Sequence, residues 1–318
     1  DPGGASRPSD RRFDTEGPTM NRSSSIGSRG YGVFLIPGIV LFVVIIALPF
    51  LANVGISFTR WNGVGTPAFV GLENYRTAMH DRVFWASFRN NVALIFAVTV
   101  VPTILGLLLS VFLFDYGAKA FGRRVVNALR AGYYLPQILP VAIAGVVWGW
   151  ILNPNYGALN WLLESVGLGA LATNWLGNAS TALPSVMGIM IWFQIGYPLV
   201  IFMSALQRVD PAILEAAQID GASWYQRFKI TIAIIRPEIS VVVLTTTIYA
   251  LKLFAQIYVL TRGGPGHATI VPSYFAYQNF FEKARVGYGS TVATIMTVII
   301  VLLTVVFIQL QNRNAEDM

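Results

Sequence analysis

The sequence predicts an all-α polytopic membrane protein with six transmembrane helices. The chain is 55% hydrophobic and only 12% charged, and its apolar residues are gathered into six long runs. Soluble domains carry about 25% charged residues, and a helix needs about 20 apolar residues to cross a hydrocarbon core. One such run fits a buried helix of a soluble protein, whereas six in one chain favour a membrane protein. The runs are residues 33–58, 90–114, 131–152, 181–206, 238–260 and 290–310.

The two ends of the chain are polar. Residues 1–30 are rich in Gly, Ser, Pro and Arg and contain no apolar run, which predicts a disordered segment that is not a signal peptide. Residues 31–312 form the predicted transmembrane domain, and residues 313–318 form a short polar tail.

Lys and Arg are distributed unequally between the predicted loops. With both termini placed in the cytoplasm, fourteen of the 22 basic residues fall on the cytoplasmic side, seven on the outer side and Lys252 within a run. Cytoplasmic loops of membrane proteins carry such an excess. The net charge of +7 is therefore a signal of topology, and nucleic acid is not predicted as a partner. The expected location is the inner or plasma membrane, surrounded by lipid, with cytoplasmic N- and C-termini.

Several kinds of chemistry are missing from the sequence. It has no Cys, two His and no Gly followed directly by Lys, which excludes thiolate metal sites and a phosphate-binding loop for ATP. The apolar runs contain no interior Asp or Glu, which proton- and sodium-coupled carriers commonly place at membrane depth. The chain is therefore predicted not to be an enzyme. It is either a passive pore or a transporter driven by a partner.

The loop at residues 207–237 predicts two short helices joined by a glycine turn. Asp210 is a favourable N-cap for the first helix. Gly221 suits a left-handed turn at its end, and Ser223 with Gln226 has the spacing of a capping box for the second helix. On physical grounds alone, an ordinary amphipathic loop between two spans explains these residues as well as a functional one does.

The loop contains EAAQIDGA, which resembles the EAA signature of the permeases of binding-protein-dependent ABC importers, an E-A-A followed by three residues and a G. In that family the loop docks as a coupling helix into a groove of the ATPase subunit. The resemblance therefore implies that the acid of the signature pairs with a basic group of the ATPase. The implied coupling residues are Glu215, Ala216, Ala217, Asp220 and Gly221.

Three further segments are similar to the carbohydrate branch of these permeases. They are FVGLENY after the first run, YLPQILPVAIAGVVWGWILNPNYGALN around the third and IYVLTRGGPGHAT after the fifth. The resemblance covers residues 31–312 and implies the type I permease fold of ABC importers, in a subunit like the larger permease of maltose-type systems. The implied partners are a second permease, two ATPase subunits and an extracytoplasmic sugar-binding protein. ATP and Mg are then bound by the ATPase subunits, with no cofactor or metal in this chain.

The function implied by this resemblance is the ATP-driven import of a carbohydrate, an oligosaccharide, from the binding protein into the cytoplasm. Glycerol phosphate or a polyol is the alternative substrate, because related permeases serve them. A stand-alone channel or secondary carrier is the alternative class, and a requirement for ATP during uptake separates it from an importer.

Polar and aromatic side chains in the fourth and fifth runs form a candidate substrate path. Aromatic rings and neutral hydrogen-bonding groups are typical of sugar binding. Tyr249, Lys252 and Gln256 recur at intervals of three and four residues, which predicts that they lie on one face of a helix. Packing between helices is the alternative explanation for each of them. The candidates are Trp192, Gln194, Tyr197, Tyr249, Lys252 and Gln256.

Lys252 is the one basic residue predicted inside an apolar run. A charge at the middle of a membrane helix costs from about 2.5 kcal/mol upward and marks a functional site by default. Two explanations follow from the sequence. Lys252 reaches a water-filled cavity or an acid of the partner permease, or it binds an anionic or hydroxyl-rich substrate.

Overall fold

The computed structural model of the chain describes Gly3, residues 27–117 and residues 120–316, with side chains from Phe34 to Gln311 except those of Asp115 and Arg123. Residues 1–26, apart from Gly3, lie outside the described residues, and so does this part of the segment that was predicted to be disordered. Residues 317–318 of the predicted tail also lie outside them. Two units, residues 1–51 and residues 52–318, divide the chain.

The described residues are mostly helical. In chain order the helices are α1 (Gly27–Phe42), α2 (Leu48–Ser57), α3 (Glu73–His80), α4 (Arg82–Ile95), α5 (Val101–Phe112), α6 (Gly122–Ile138), α7 (Val141–Ile151), α8 (Ala158–Ser165), α9 (Ala179–Gln194), α10 (Gly196–Leu206), α11 (Pro211–Ile219), α12 (Trp224–Ile234), α13 (Arg236–Leu251), α14 (Ala255–Leu260), α15 (Pro272–Tyr277) and α16 (Val286–Glu316).

Shorter elements connect some of these helices. Two-residue strands pair antiparallel, β1 (Thr59–Arg60) with β2 (Ala68–Phe69), so that Thr59 lies opposite Phe69. The π-helical and 3₁₀ turns are Val43–Ala47, Phe96–Val100, Leu113–Gly117, Gly169–Leu171 and Gln278–Glu282.

Four helical stretches are long and apolar enough to cross a membrane, and they match the first, second, fourth and sixth predicted runs. Together with the mostly helical structure of the described residues, they confirm the predicted class of an all-helical polytopic membrane protein. The stretches are Phe34–Ser57, Arg82–Phe112, Ala179–Leu206 and Val286–Gln311.

The third predicted run is bent rather than straight. Its two helical parts, Arg124–Ile138 and Val141–Ile151, meet at an angle of 99°. Pro140 lacks an N–H group and disfavours a helical conformation in the residue before it. Leu139 is accordingly extended, with φ of −67° and ψ of 132°. The bend therefore follows from the sequence at this point.

The fifth predicted run is not one helix. Helix α13 ends at Leu251, and residues 252–254 separate it from α14. Within the part of the chain that the structure describes, four helices pass the length and hydropathy criteria, or five with the bent pair counted as one span. The count of six membrane crossings stays a prediction.

Side chains from neighbouring helices satisfy the backbone where this run is interrupted. The Asn91 amide Nδ2 donates to the Ala250 carbonyl at 3.0 Å, and the Ser273 hydroxyl donates to the Leu253 carbonyl. Inside an apolar layer no water is present to accept or donate, so a helix breaks only where the protein supplies partners. Asn91 is buried and lies on α4, which ties the break to the second span.

Three apolar cores hold the described part of residues 52–318 together, and the smallest contains Leu113, Val126, Leu199 and Met203. The largest packs α4, α9, α13, α14, α15 and α16 around Phe84, Met190, Ile257 and Tyr274. The second lies next to the 207–237 loop and contains Val111, Phe202, Ala205, Leu206, Val209, Ile235 and Val242. The loop is therefore attached to the ends of α5, α10 and α13 by apolar packing.

Glycine allows a very close helix approach at α10. A Cβ atom on Gly196 would lie 2.3 Å from the Tyr133 carbonyl oxygen and 2.7 Å from the Tyr134 Cα atom, both backbone atoms of α6. Backbone atoms cannot move aside as a flexible side chain can. Small residues bring membrane helices together in this way, so position 196 sets the separation of the bent pair from α10.

We expect Gly196→Ala to lower the stability of the protein by about 1–3 kcal/mol, because overpacking of a tight contact costs that amount. Gly188→Ala is the matched control, since Gly188 lies in α9 and a Cβ atom added there would have no neighbour within 4 Å. Thermal unfolding in detergent measures both. Equal midpoints for the two variants would contradict the close approach.

Candidate functional site

The 207–237 loop has the two-helix form that its sequence predicts. The Asp210 carboxylate accepts from the Ala212 N–H at 2.9 Å and caps α11. Ser223 and Gln226 form a reciprocal capping box on α12: the Gln226 side chain accepts from the Ser223 N–H at 2.7 Å. Both helices therefore begin where the sequence indicates, and each start is fixed by local hydrogen bonds.

The turn between the two helices depends on a left-handed glycine. Gly221 has φ of +80°, and its N–H donates to the Gln218 carbonyl at 3.1 Å. The Ala222 N–H donates to the Ala217 carbonyl at 2.9 Å, which completes the helix end. Nothing lies within 4 Å of the Cβ position at Gly221. A larger residue there is therefore opposed by backbone conformation and not by crowding.

The signature residues lie on the outward surface of this loop. Glu215, Ala216, Asp220 and Gly221 are exposed, and Ala217 is half-buried. Ile219, between them, is 87% exposed, which is unusual for an isoleucine beside a folded core. On the opposite side of α11, Leu214 packs against the second core together with Phe228 of α12. The loop thus has a small, partly apolar exposed surface, and its opposite side is packed against the second core.

Glu215 also lines a cavity of about 370 Å³ between α11, α12 and the end of the second span. Arg227 crosses this space, and its Nη1 donates to the Gln218 side-chain oxygen at 3.2 Å. Phe114 and Tyr116 form the wall on the side of the second span. Glu215 therefore lines the same cavity as Arg227, a cation of its own chain, and is also exposed to the outside of the loop.

A second feature is a cleft of about 440 Å³ between the bent pair, α9, α10 and α13. We call it the polar cleft after the few polar side chains on its apolar walls. The Gln137 amide donates to the Gln194 side-chain oxygen at 3.1 Å, and the Tyr197 and Thr245 hydroxyls lie 3.1 Å apart. Tyr249 lines the same cleft. Apolar walls with a few polar groups pointing inward are the usual form of a small-molecule site.

The structure brings together four of the six predicted path residues. Gln194, Tyr197 and Tyr249 line the polar cleft. Gln256 is buried directly behind it, and its amide Nε2 donates to the Tyr249 hydroxyl at 2.7 Å. That bond joins α13 to α14 across the helix break. The predicted single helix face through residues 249, 252 and 256 is wrong, because the helix ends at Leu251.

Trp192 does not line the polar cleft. It lines a neighbouring apolar groove with Gly132, Tyr133 and Pro136, and its ring meets Trp148 edge-on at 5.3 Å between centroids. Residues 193 and 194 turn into the cleft, so residue 192 faces another side of α9.

Lys252 is not inside a helix. It is the C-terminal cap of α13, with φ of −101° and ψ of 10°, and its side chain is exposed. Among the residues that the structure describes, no acid lies within 4.0 Å of its ammonium group. Both sequence-based explanations, a water-filled cavity or partner acid on the one hand and a substrate on the other, require an accessible ammonium group, and this placement provides one.

Three polar residues that line the cleft were not predicted from the sequence, namely Gln137, Thr245 and Thr246. Each is a polar residue in an apolar run, and Gln137 stands between Pro136 and Pro140, where a bend was detectable. Position in an apolar run combined with a nearby helix breaker was the available signal. Which of the scattered polar residues face one another depended on the packing of the helices.

Comparisons with known proteins agree on one family. The family described as "Binding-protein-dependent transport system inner membrane component" matches residues 116–317. The probable ABC transporter permease protein YurN of Bacillus subtilis is 32% identical over 287 residues, which are 90% of this chain and 97% of YurN. The trehalose/maltose transport system permease protein MalF of Thermococcus litoralis is 33% identical over 282 residues, 88% of this chain and 92% of MalF.

A solved structure shares the fold. The bacterial alginate ABC transporter, in complex with a periplasmic protein that holds an alginate pentasaccharide, contains a chain that superposes with a TM-score of 0.76 at 20% identity. The match covers 89% of this chain and 94% of that one. At this identity the likeness establishes the fold of an importer permease and nothing about the substrate.

Proposed function

Since the chain belongs to the family of binding-protein-dependent transport system inner membrane components, we propose that it is the permease subunit of an ATP-driven importer for an oligosaccharide. The observation that carries this proposal is the exposed α11–Gly221–α12 loop, which has the EAA spacing and rests on the second core. The sugars in the name of the relative MalF, trehalose and maltose, support a carbohydrate as the substrate.

The proposed assembly contains a second permease, two ATPase subunits and an extracytoplasmic binding protein. The ATPase subunits bind ATP and Mg, and their movement reaches this chain through α11. The loop then lies in the cytoplasm with both chain ends, as the distribution of Lys and Arg predicts. The long second span supports a proposed outer location for residues 59–81, since α4 begins at Arg82 and α5 ends near the Glu215 cavity.

Uptake into vesicles tests the proposal directly. We expect vesicles with the complete set of subunits to take up a labelled oligosaccharide only when ATP and the binding protein are both present. Trehalose, maltose and an alginate pentasaccharide are suitable first probes, with glycerol phosphate and a polyol as the alternative substrates. Uptake at full rate without ATP would overturn the proposal in favour of a channel or secondary carrier.

We propose that Glu215 and Gly221 govern coupling to the ATPase. Glu215→Lys reverses the charge offered to a basic groove, and Gly221→Val forces a branched residue to φ of +80°, a conformation that costs about 1–2 kcal/mol. We expect both variants to reach the membrane in normal amounts and to lose uptake and transport-linked ATP hydrolysis.

The chain offers matched controls for these two changes. Glu164 is an exposed acid near the end of α8, and Gly167 has φ of +79° with nothing within 4 Å of its Cβ position. Glu164→Lys and Gly167→Val impose the same charge reversal and the same backbone strain away from the loop. Normal uptake by the Glu215 and Gly221 variants, or equal losses in the controls, would refute the coupling role.

We propose that the substrate path follows the polar cleft past Gln194, Tyr197 and Tyr249, with Gln256 orienting Tyr249. Alanine at Tyr197, Tyr249 or Gln256 is expected to raise the sugar concentration for half-maximal uptake about tenfold, because a lost hydrogen bond in a polar site costs about 1–2 kcal/mol. Trp192→Ala is the comparison, since Trp192 lines the apolar groove instead. Unchanged uptake kinetics in all three cleft variants would place the path elsewhere.

We propose that Lys252 faces the water-filled part of the path. Its exposure at the helix break supports this role. Lys252→Met removes the charge and keeps the apolar stem, so we expect normal assembly and reduced uptake. Lys229→Met is the control, because Lys229 lies on α12 over the Tyr225 ring at 4.6 Å. Wild-type uptake by Lys252→Met excludes Lys252 from the path, and failure to assemble points to an ion pair with the partner permease.

A further inference from the structure

A third cavity, of about 570 Å³, lies between the first loop and the start of the last helix, and we propose that it binds a short saccharide carrying a carboxylate. We call it the outer cavity. It shares no lining residue with the polar cleft, so the proposal does not rest on the transport path. Its lining residues are Arg60, Trp61, Asn62, Val64, Thr66, Glu73, Asn74, Thr77, Ala284, Arg285 and Tyr288.

The outer cavity lies at the other end of the second span from the coupling loop. Tyr288 of its lining donates a hydrogen bond to Asp81, which caps the start of α4, at 2.8 Å. Phe114, just beyond α5, lines the cavity that contains Glu215. The 31 residues of the span between them correspond to about 46 Å of helix. A ligand here therefore does not contact the ATPase side.

The floor of the outer cavity is held rigidly. The Asn74 amide donates to the Ser57 and Thr59 carbonyls at 2.9 and 2.8 Å. The Gly287 N–H donates to the Trp61 carbonyl at 3.2 Å, and a Cβ atom on Gly287 would lie 1.9 Å from the Thr59 oxygen. The first loop and the last helix are thus locked together. A pre-formed site loses little entropy when a ligand binds.

The wall of the outer cavity combines ring surfaces with planar polar groups. The Trp61 indole N–H donates to the Gly65 carbonyl at 3.0 Å, which fixes the orientation of the ring. Around it stand the side chains of Asn62, Thr66 and Thr77. A sugar ring has an apolar face and a rim of hydroxyl groups, so it matches an aromatic plane bordered by amides and hydroxyls. The volume is within the range of small-molecule sites and exceeds that of one sugar ring.

The charges of the outer cavity favour an anionic sugar. Arg60 and Glu73 neutralise each other, with Nη2 of Arg60 at 2.6 and 2.9 Å from the two carboxylate oxygens. Arg285 lies over the Tyr288 ring at 4.8 Å from its centroid, and within the described part of the chain no carboxylate lies within 4.0 Å of its guanidinium. A stacked guanidinium keeps its edge available for a two-point bond to a carboxylate.

The absence of Cys from the chain gives a direct binding assay. Val64 lines the cavity, is 79% exposed and has no assigned role in recognition, so Val64→Cys places a single thiol on the cavity wall of the full chain in lipid nanodiscs. A ligand in the cavity slows the reaction of this thiol with a maleimide. The probes are cellobiouronate and cellobiose, which differ in one carboxylate, and acetate, which has the carboxylate without the rings. We expect cellobiouronate to protect the thiol at a concentration about tenfold or more below that of the other two.

Two variants at Arg285 test whether this residue is responsible for the preference for cellobiouronate. In the Val64→Cys background, Arg285→Gln is expected to abolish the preference for cellobiouronate, and Arg285→Lys to leave part of it. Arg262→Gln is the control, because Arg262 also lies over a tyrosine, Tyr258 at 5.8 Å, but outside the outer cavity. That control should keep the full preference.

Three results at the cavity thiol would overturn the proposal, and a fourth concerns a control thiol elsewhere. The three are protection by cellobiose or acetate at the same concentration as cellobiouronate, no protection by any probe, and an unchanged preference in Arg285→Gln. A thiol placed by Tyr156→Cys, at a residue that is 73% exposed and lies outside the cavity, must react at the same rate with and without the sugar. If it is protected as well, the effect is not specific to the outer cavity and the proposal fails.

Discussion

The constraint on which the structure depends is that backbone groups at membrane depth must find their partners within the protein. Two of the predicted runs are interrupted in the apolar part of the chain, one at Leu139–Pro140 and one at residues 252–254. At the second interruption Asn91 donates to the Ala250 carbonyl and Ser273 donates to the Leu253 carbonyl. Polar side chains on α4 and α15 are thus what permits irregular backbone beside an otherwise unbroken apolar layer.

The same interruptions create the polar cleft. A straight fifth run would place Tyr249 and Gln256 two turns apart on one helix, whereas the break redirects α14 so that the two side chains form a hydrogen bond. The bend at Pro140 places Gln137 beside Gln194 in a similar way. Polar groups that are isolated along the sequence thereby satisfy one another in pairs. Pairing lowers the cost of keeping them in an apolar layer and leaves them on the cleft wall.

The conformation of the 207–237 loop is set by hydrogen bonds within it, and its position is set by packing against the spans. Its helix starts and its glycine turn are fixed by hydrogen bonds within the loop, and its attachment to the spans is fixed by Leu214 and Phe228 on the second core. Arg227 adds a polar link between the two helices through Gln218. This packing joins α11 to the ends of α5, α10 and α13 through one core, and packed cores deform little. This arrangement suits a part that transmits motion.

The class of the protein, the position of the apolar runs and the two-helix form of the 207–237 loop could be read from the amino-acid sequence. These follow from composition, run length and capping residues such as Asp210 and Ser223, which act over a few neighbouring positions. Membership of the permease family was likewise readable from EAAQIDGA and its companion segments. The break after Leu251, the exposure of Lys252 and the separation of Trp192 from the cleft arise only in the folded chain. The physical reason is that hydropathy records how apolar a run is, while the breaks and the contacts depend on donors and rings supplied by residues far away in the chain.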